Sequence, residues 1–282
     1  MPLNLQAAVS AQYVDGEEED GWFEARGSNA WLLPLLRQHL CGARLAYFAS
    51  DMLPLAKQMA EYSQQAAAAG NPLVAQRAAT AEFQVWSTLP HFCHWASDVD
   101  AAFPSMAKEL GAYLQHRPDL HAVLCSAITR LLTQNRQFLA GDNTGSEAPE
   151  GYTAEMATAS LACVGKFARN FLPILFNLYV AQKPETRAVL TNIIEAFAKS
   201  AEKETIAPFF RTMVRKLIKV TNDDPAAPDA LLEGGDTPLA RRCTFMMLSL
   251  ALEGGLDNDG VDMLLKAAKP CVTERDGSIQ KK

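Results

Sequence analysis

Apolar residues recur along this chain at the spacing of a helix face, and the strict alternation a half-buried strand needs is almost absent. Past Ser28, a good N-cap, Trp31, Leu32, Leu35, Leu36 and His39 fall on neighbouring turns. A second helix follows Gly42 and runs into the alanine-rich stretch before Gly70, and Asn71-Pro72 opens a third that carries Leu73, Ala79, Phe83 and Trp86. Asp98 stands where it would cap a segment with Phe103, Met106, Leu110 and Leu114. Arg117-Pro118-Asp119 stops that helix, and Asp119 stands where it would cap the next, with Val123, Leu124, Ile128, Leu131 and Leu132 on one face.

The second half repeats the pattern. Helices resume at Tyr152, one reading to about Asn170, and Phe171 to Val180 is apolar nearly all round, which predicts burial in the middle of a stack. Pro184 suits a first helical turn ahead of Val189, Ile193, Ile194 and Phe197. From Glu204 to Val220 the pattern is cleanly amphipathic, with Phe210, Met213, Val214 and Leu217 on one side. Thr237-Pro238 reads as an N-cap with proline at the first helical position, ahead of Phe245, Leu248 and Leu252. Polar, Gly- and Pro-containing links are expected near 140–151 and 222–236, and residues 1–27, with the acidic run Glu17 to Asp20, read as a poorly ordered lead-in.

Prolines punctuate short apolar stretches at Leu53-Pro54-Leu55, Leu89-Pro90, Leu172-Pro173-Ile174 and Ala207-Pro208-Phe209. The steps from Pro54 to Pro90 and from Pro173 to Pro208 are both close to one two-helix repeat. A period of that size predicts an all-α fold, an α-solenoid of antiparallel helix pairs over 28–282, in which each pair buries its apolar face against its neighbours. Ser278 to Lys282 reads as the cap and opening of a further helix, so the array is expected to continue. Such folds present long surfaces and seldom an enclosed catalytic pocket, which speaks for a binding protein and against an enzyme.

Composition narrows the picture a little. No stretch approaches the roughly 20 uninterrupted apolar residues a membrane span needs, and the first residues lack a basic region followed by an apolar run, so a soluble intracellular protein is expected. Six cysteines lie far apart, and Cys93, Cys125, Cys163 and Cys243 sit inside apolar helical patterns, where a free thiol behaves as a small hydrophobe in a reducing compartment. A net charge of −6 does not advertise a nucleic-acid binder, although charge can be segregated onto one face.

Candidate chemistry is sparse. His91-Phe92-Cys93-His94 is the densest group of metal-ligand types, but no second short-spaced pair completes a zinc site. No Gly-x-Ser-x-Gly turn, no phosphate-binding glycine loop and no acid–base carboxylate pair is found, and Gly234-Gly235 and Gly254-Gly255 read as loop punctuation. No cofactor, metal or small-molecule substrate is expected. What remains is a basic ridge: Arg211, Arg215 and Lys219 recur every four residues with Lys216 beside them. Lys199 and Lys203 precede it and Arg241-Arg242 follow, so stacked helices would align a stripe that neutralises phosphates. The plainer alternative is a solvated helix face.

Trp86 to Cys93, then Asp98 and Phe103, then Leu110 and Arg117-Pro118-Asp119-Leu120 resemble the core of the ribosomal RNA processing protein 12 family, large nucleolar HEAT-repeat proteins. Asn29 to Leu36 and Phe48 to Leu55 are similar to the segment before that core, and Arg169 to Asn177 to the segment after it. The resemblance implies HEAT-like helix pairs, location in the nucleus and nucleolus, association with pre-ribosomal RNA and ribosome assembly factors, and support for rRNA processing and small-subunit nuclear export, with links to the nuclear transport machinery. It implies no catalytic residues. The alternative expectation is a HEAT-type transport or regulatory adaptor that binds protein partners without RNA.

Overall fold

Proline placement explains much of how the helices of this chain begin and bend. The computed structural model describes residues 32–142, 147–222, 238–256 and 258–272, and every regular element among them is helical. Readings at 1–31, over 223–237 and at Ser278 to Lys282 lie outside the described residues. The chain folds as two units, Met1–Val164 and Gly165–Lys282.

In the first unit, α1 (Leu32–His39) is followed by a helical turn, Leu45–Tyr47, that runs through a π turn, Phe48–Met52, into α2 (Leu53–Ala68). The Leu53 N–H reaches back five residues to the Phe48 carbonyl, and this wider turn comes just before Pro54, which has no N–H to give. A three-residue turn through Gly70, whose φ of +80° suits glycine, reverses the chain into α3 (Pro72–Trp86), packed along α2 as an antiparallel pair. The buried face of α3 is Ala75, Ala78, Val85 and Trp86, while Leu73 and Phe83 point outward.

A short α4 (Leu89–Phe92) leads to α5 (Val99–His116), a 3-10 turn at Pro118–Leu120, α6 (His121–Leu139) and α7 (Ala154–Lys166). Aromatic rings thread this core. Phe48 lies 5.8 Å from Trp86 and 5.6 Å from Phe92, and Trp86 meets the Tyr113 ring edge-on at 4.8 Å. Trp95 sits between Phe138 and Tyr152, at 5.8 and 5.1 Å, with φ at +58°, a left-handed conformation that costs a bulky residue about 1–2 kcal/mol and is held by that packing.

Two capping expectations are corrected here. Asp98 precedes α5 but makes no side-chain bond to it; its carboxylate accepts from the backbone N–H groups of Leu45 at 2.6 Å and Ala46 at 3.1 Å, so it caps the helix that leads into α2. Asp119 caps nothing either. It accepts two bonds from Arg117, at 2.9 and 2.8 Å, and Arg117 reaches the buried Glu82 of α3 at 2.7 Å with its remaining nitrogen. The strength of that local ion pair outbids an N-cap bond that a 3-10 turn would present at poor geometry.

In the second unit, α8 (Ala168–Ala181), a 3-10 turn at Pro184–Thr186, α9 (Ala188–Ser200), α10 (Lys203–Asn222), α11 (Pro238–Ala251), a 3-10 turn at Glu253–Gly255 and α12 (Asn258–Val272) follow in order. The expected helix from Tyr152 to Asn170 breaks at Phe167, and the stretch after it is not buried all round: Phe171, Leu172, Leu175, Phe176 and Tyr179 are buried, while Val180 is exposed. Pro184 opens the 3-10 turn and leaves α9 to start at Ala188. Gly254-Gly255 is more than punctuation. A Cβ at Gly254 would overlap the Ala198 carbonyl, and one at Gly255 would come within 2.7 Å of Ile206 Cγ2. Only glycines let this turn sit against α9 and α10.

Pro104, Pro173 and Pro208 each stand five residues past the first residue of their helices, so each deprives one carbonyl of its helical partner. For Pro104 that carbonyl belongs to Asp100, and the Cys163 thiol lies 3.7 Å from it. Pro54 and Pro90 are each the second residue of their helices and Pro173 and Pro208 each the sixth of theirs, so both steps join equivalent positions.

Candidate nucleic-acid interface

Helix α10 carries the predicted ridge. A residue every four positions advances by only about 40° round a helix, so Arg211, Arg215 and Lys219 share a face, with Lys216 at its margin. The opposite side holds Phe210, Met213, Val214 and Leu217, all buried, which fixes the basic face outward. Acidic residues on this helix are confined to the first turn, at Glu204, so the last three turns are purely basic. Cations at a helix C-terminus also favour the helix dipole, a reason for their presence that involves no ligand.

The four side chains are not equivalent. Arg215, Lys216 and Lys219 are exposed, and Arg211 is half-buried. The Lys216 ammonium lies 5.7 Å from the centre of the Phe245 ring of α11, a cation–π contact that draws it toward that helix. Arg215 and Lys219 thus form the outward-facing part of the ridge. The flanking cations add less than their spacing suggests. Lys199 pairs with Glu195 at 3.4 Å and Glu253 at 3.7 Å, and Arg241 and Arg242 are half-buried. Lys203 is exposed at the start of α10.

The His91 to His94 group is built differently. Cys93 is buried, and desolvation pushes its thiol up to about 12, so it is held as the neutral thiol of a small core residue. His91 and His94 are half-buried and held below the ordinary imidazole value, first by burial and then by the nearby Arg130 guanidinium. Among the described residues no three His, Cys, Asp or Glu side chains converge as a metal would need. Arg130 donates to the Pro90 carbonyl at 3.0 Å, and Arg37 of α1 is close enough to act on His91 electrostatically. Sequence reasoning missed this gathering of basic side chains from three elements, because none of them neighbours another along the chain except the two histidines.

Among the described residues no single helix is long and apolar enough to cross a membrane; the most apolar run is divided by the break at Phe167.

The family described as ribosomal RNA-processing protein 12, HEAT repeats, matches residues 13–182. The chain is similar to an RRP12-like protein of Gallus gallus, 31% identical over 288 residues that take in 100% of this chain and 19% of that protein. An RRP12-like protein of Homo sapiens is 28% identical over 274 residues, 95% of this chain and 18% of its own length. Ribosomal RNA-processing protein 12 of Saccharomyces cerevisiae is 25% identical over 201 residues, 71% of this chain and 16% of its own. The chain therefore spans less than a fifth of the length of these curated relatives. The fold class is the expected one, all-α and of the HEAT-repeat solenoid type.

Proposed function

Because the chain belongs to the ribosomal RNA-processing protein 12 family, we propose that it is a non-catalytic scaffold of ribosome biogenesis that engages pre-ribosomal particles. The family match over 13–182 carries this reading. In it the helix pairs over 28–282 bind pre-rRNA and ribosome assembly factors in the nucleus and nucleolus, and support rRNA processing and small-subunit export together with the nuclear transport machinery. Residues 1–27 are a lead-in to that array. The relatives' own names concern ribosomal RNA processing, and repeat surfaces suit extended partners better than enclosed substrates.

The RNA contact is assigned to α10, with Arg215 and Lys219 on phosphates, Lys216 beside them and Arg211 supporting from its half-buried position. Reversing Arg215 and Lys219 to glutamate is expected to weaken binding to a structured precursor rRNA fragment at least about ten-fold in low salt, and to flatten the salt dependence by roughly two phosphate contacts. Unchanged affinity and slope would remove the ridge from the interface. A tagged chain is expected to recover precursor rRNA and assembly factors from nuclear extract, and a clean preparation free of both would overturn the scaffold reading.

The second reading, an adaptor for protein partners, draws on one observation: Lys216 and Lys199 already have partners within the fold, which shortens the stripe. It predicts capture of proteins without RNA, with affinity far less sensitive to salt.

A further inference from the structure

Acidic residues are missing from three separate stretches of this net-acidic chain, 27–50, 83–97 and 120–141. The fold packs the helices from those stretches together. Helix α4 contacts α1 and also α6, and none of the three contains an Asp or Glu. Arg37 comes from α1, His91 and His94 from α4 and the turn after it, and Arg130 from α6. Arg130 is fixed by its bond to the Pro90 carbonyl, one residue from His91, and Arg37 and Arg130 both act on the His91 ring. Arg37 is exposed, and the other three are half-buried. In a protein of net charge −6, three packed helices that carry cations and no carboxylate of their own concentrate positive potential that the chain as a whole lacks.

We propose that Arg37, His91, His94 and Arg130 form a second RNA-binding surface, on the first unit, that takes a single-stranded segment through phosphate contacts and base stacking. The surface rests on the same reading as the ridge of α10, that this chain handles RNA. The mixture of side chains favours a nucleotide over an acidic peptide. Both histidines are held below their ordinary value, so near neutral pH their rings are largely uncharged; the His94 ring is hydrogen-bonded to the Leu40 backbone, and His91 is the ring offered for stacking. An acidic peptide would find two guanidinium groups and little else. A nucleotide strand uses the guanidinium groups on its phosphates and stacks bases on imidazole and guanidinium planes.

The test is binding of the full chain to a labelled single-stranded RNA oligonucleotide over a salt series, with polyglutamate as competitor and circular dichroism to check folding. Arg37→Glu is expected to weaken binding about ten-fold in low salt and to reduce the log–log salt slope by about 0.7, one phosphate contact on a single strand. His91→Ala is expected to weaken binding about five-fold with the slope unchanged, because stacking releases no counterion. If the natural chain binds RNA and both variants match it in affinity and slope, this surface is not a contact and the α10 proposal stands alone. If the natural chain binds no RNA at any salt, both surfaces fall together. If polyglutamate displaces the RNA at equal charge concentration, the surface belongs to an acidic protein and the RNA assignment is overturned.

Discussion

The two units of this chain are held by different means. The first relies on directed contacts: the Asp98 carboxylate on two backbone N–H groups, Arg117 forked between Asp119 and the buried Glu82, and aromatic edges meeting at Trp86 and Trp95. The second relies on shape. Its core is aliphatic and Phe side chains on helix faces, with a glycine pair letting one turn press against two helices. It has directed contacts too, such as Arg187 donating to the buried Thr244 at 2.8 Å while stacked on Tyr179. Directed contacts fail singly when one partner is removed; close-packed shape fails when volume is added.

That contrast predicts where each unit breaks. Gly254→Ala should do the most damage, about 3 kcal/mol, because the new methyl meets a backbone carbonyl that cannot step aside alone. Hydrogen exchange should quicken in Ala188–Ser200 and Lys203–Asn222 while Val99–His116 keeps its protection; a uniform rise would mean that the two units do not respond separately. Glu82→Ala should cost about 2 kcal/mol by denaturant unfolding and loosen the first unit, since it takes the buried acceptor from Arg117. Asp98→Ala should cost about 1 kcal/mol, with faster exchange confined to the start of the helix at Leu45; Asp98→Asn should recover part of it.

The smallest expected effect is one of pH. His91 and His94 have depressed values in the fold, so on acidification the unfolded chain takes up protons that the folded chain refuses. Their contribution is whole above the ordinary histidine value and is lost as pH falls through the folded values. The melting temperature should therefore drop between about pH 7 and pH 5, and His91→Gln should shrink that drop. Asp119 also lies below its ordinary value, first through its bond from Arg117, and its contribution is lost only at lower pH, after the histidines.

Local pattern reveals some of this and conceals the rest. The faces of α10 were legible because core and ridge residues alternate within one helix, where spacing alone decides who points inward. The start of α11 at Pro238 and the course of α5 were legible from the residues that punctuate them. The partners of Asp98 and Asp119 were not. A cap signal in sequence is a statement about the next few residues, and Asp98 serves a backbone 53 positions earlier. Gly254-Gly255 read as a loop because its constraint comes from Ala198 and Ile206, far back in the chain. The basic ridge was found since its members lie on one helix; the Arg37, His91 and Arg130 surface was hidden because three elements have to fold before it exists.

The reach of Asp98 has a consequence for how the chain is made. As the protein emerges from the ribosome, Leu45 and Ala46 are synthesised long before their carboxylate partner, which arrives 53 residues later. Until then those two N–H groups have no carboxylate to bond. The Leu45 end of that helix is therefore expected to gain its full exchange protection only after α3 and α4 have been made.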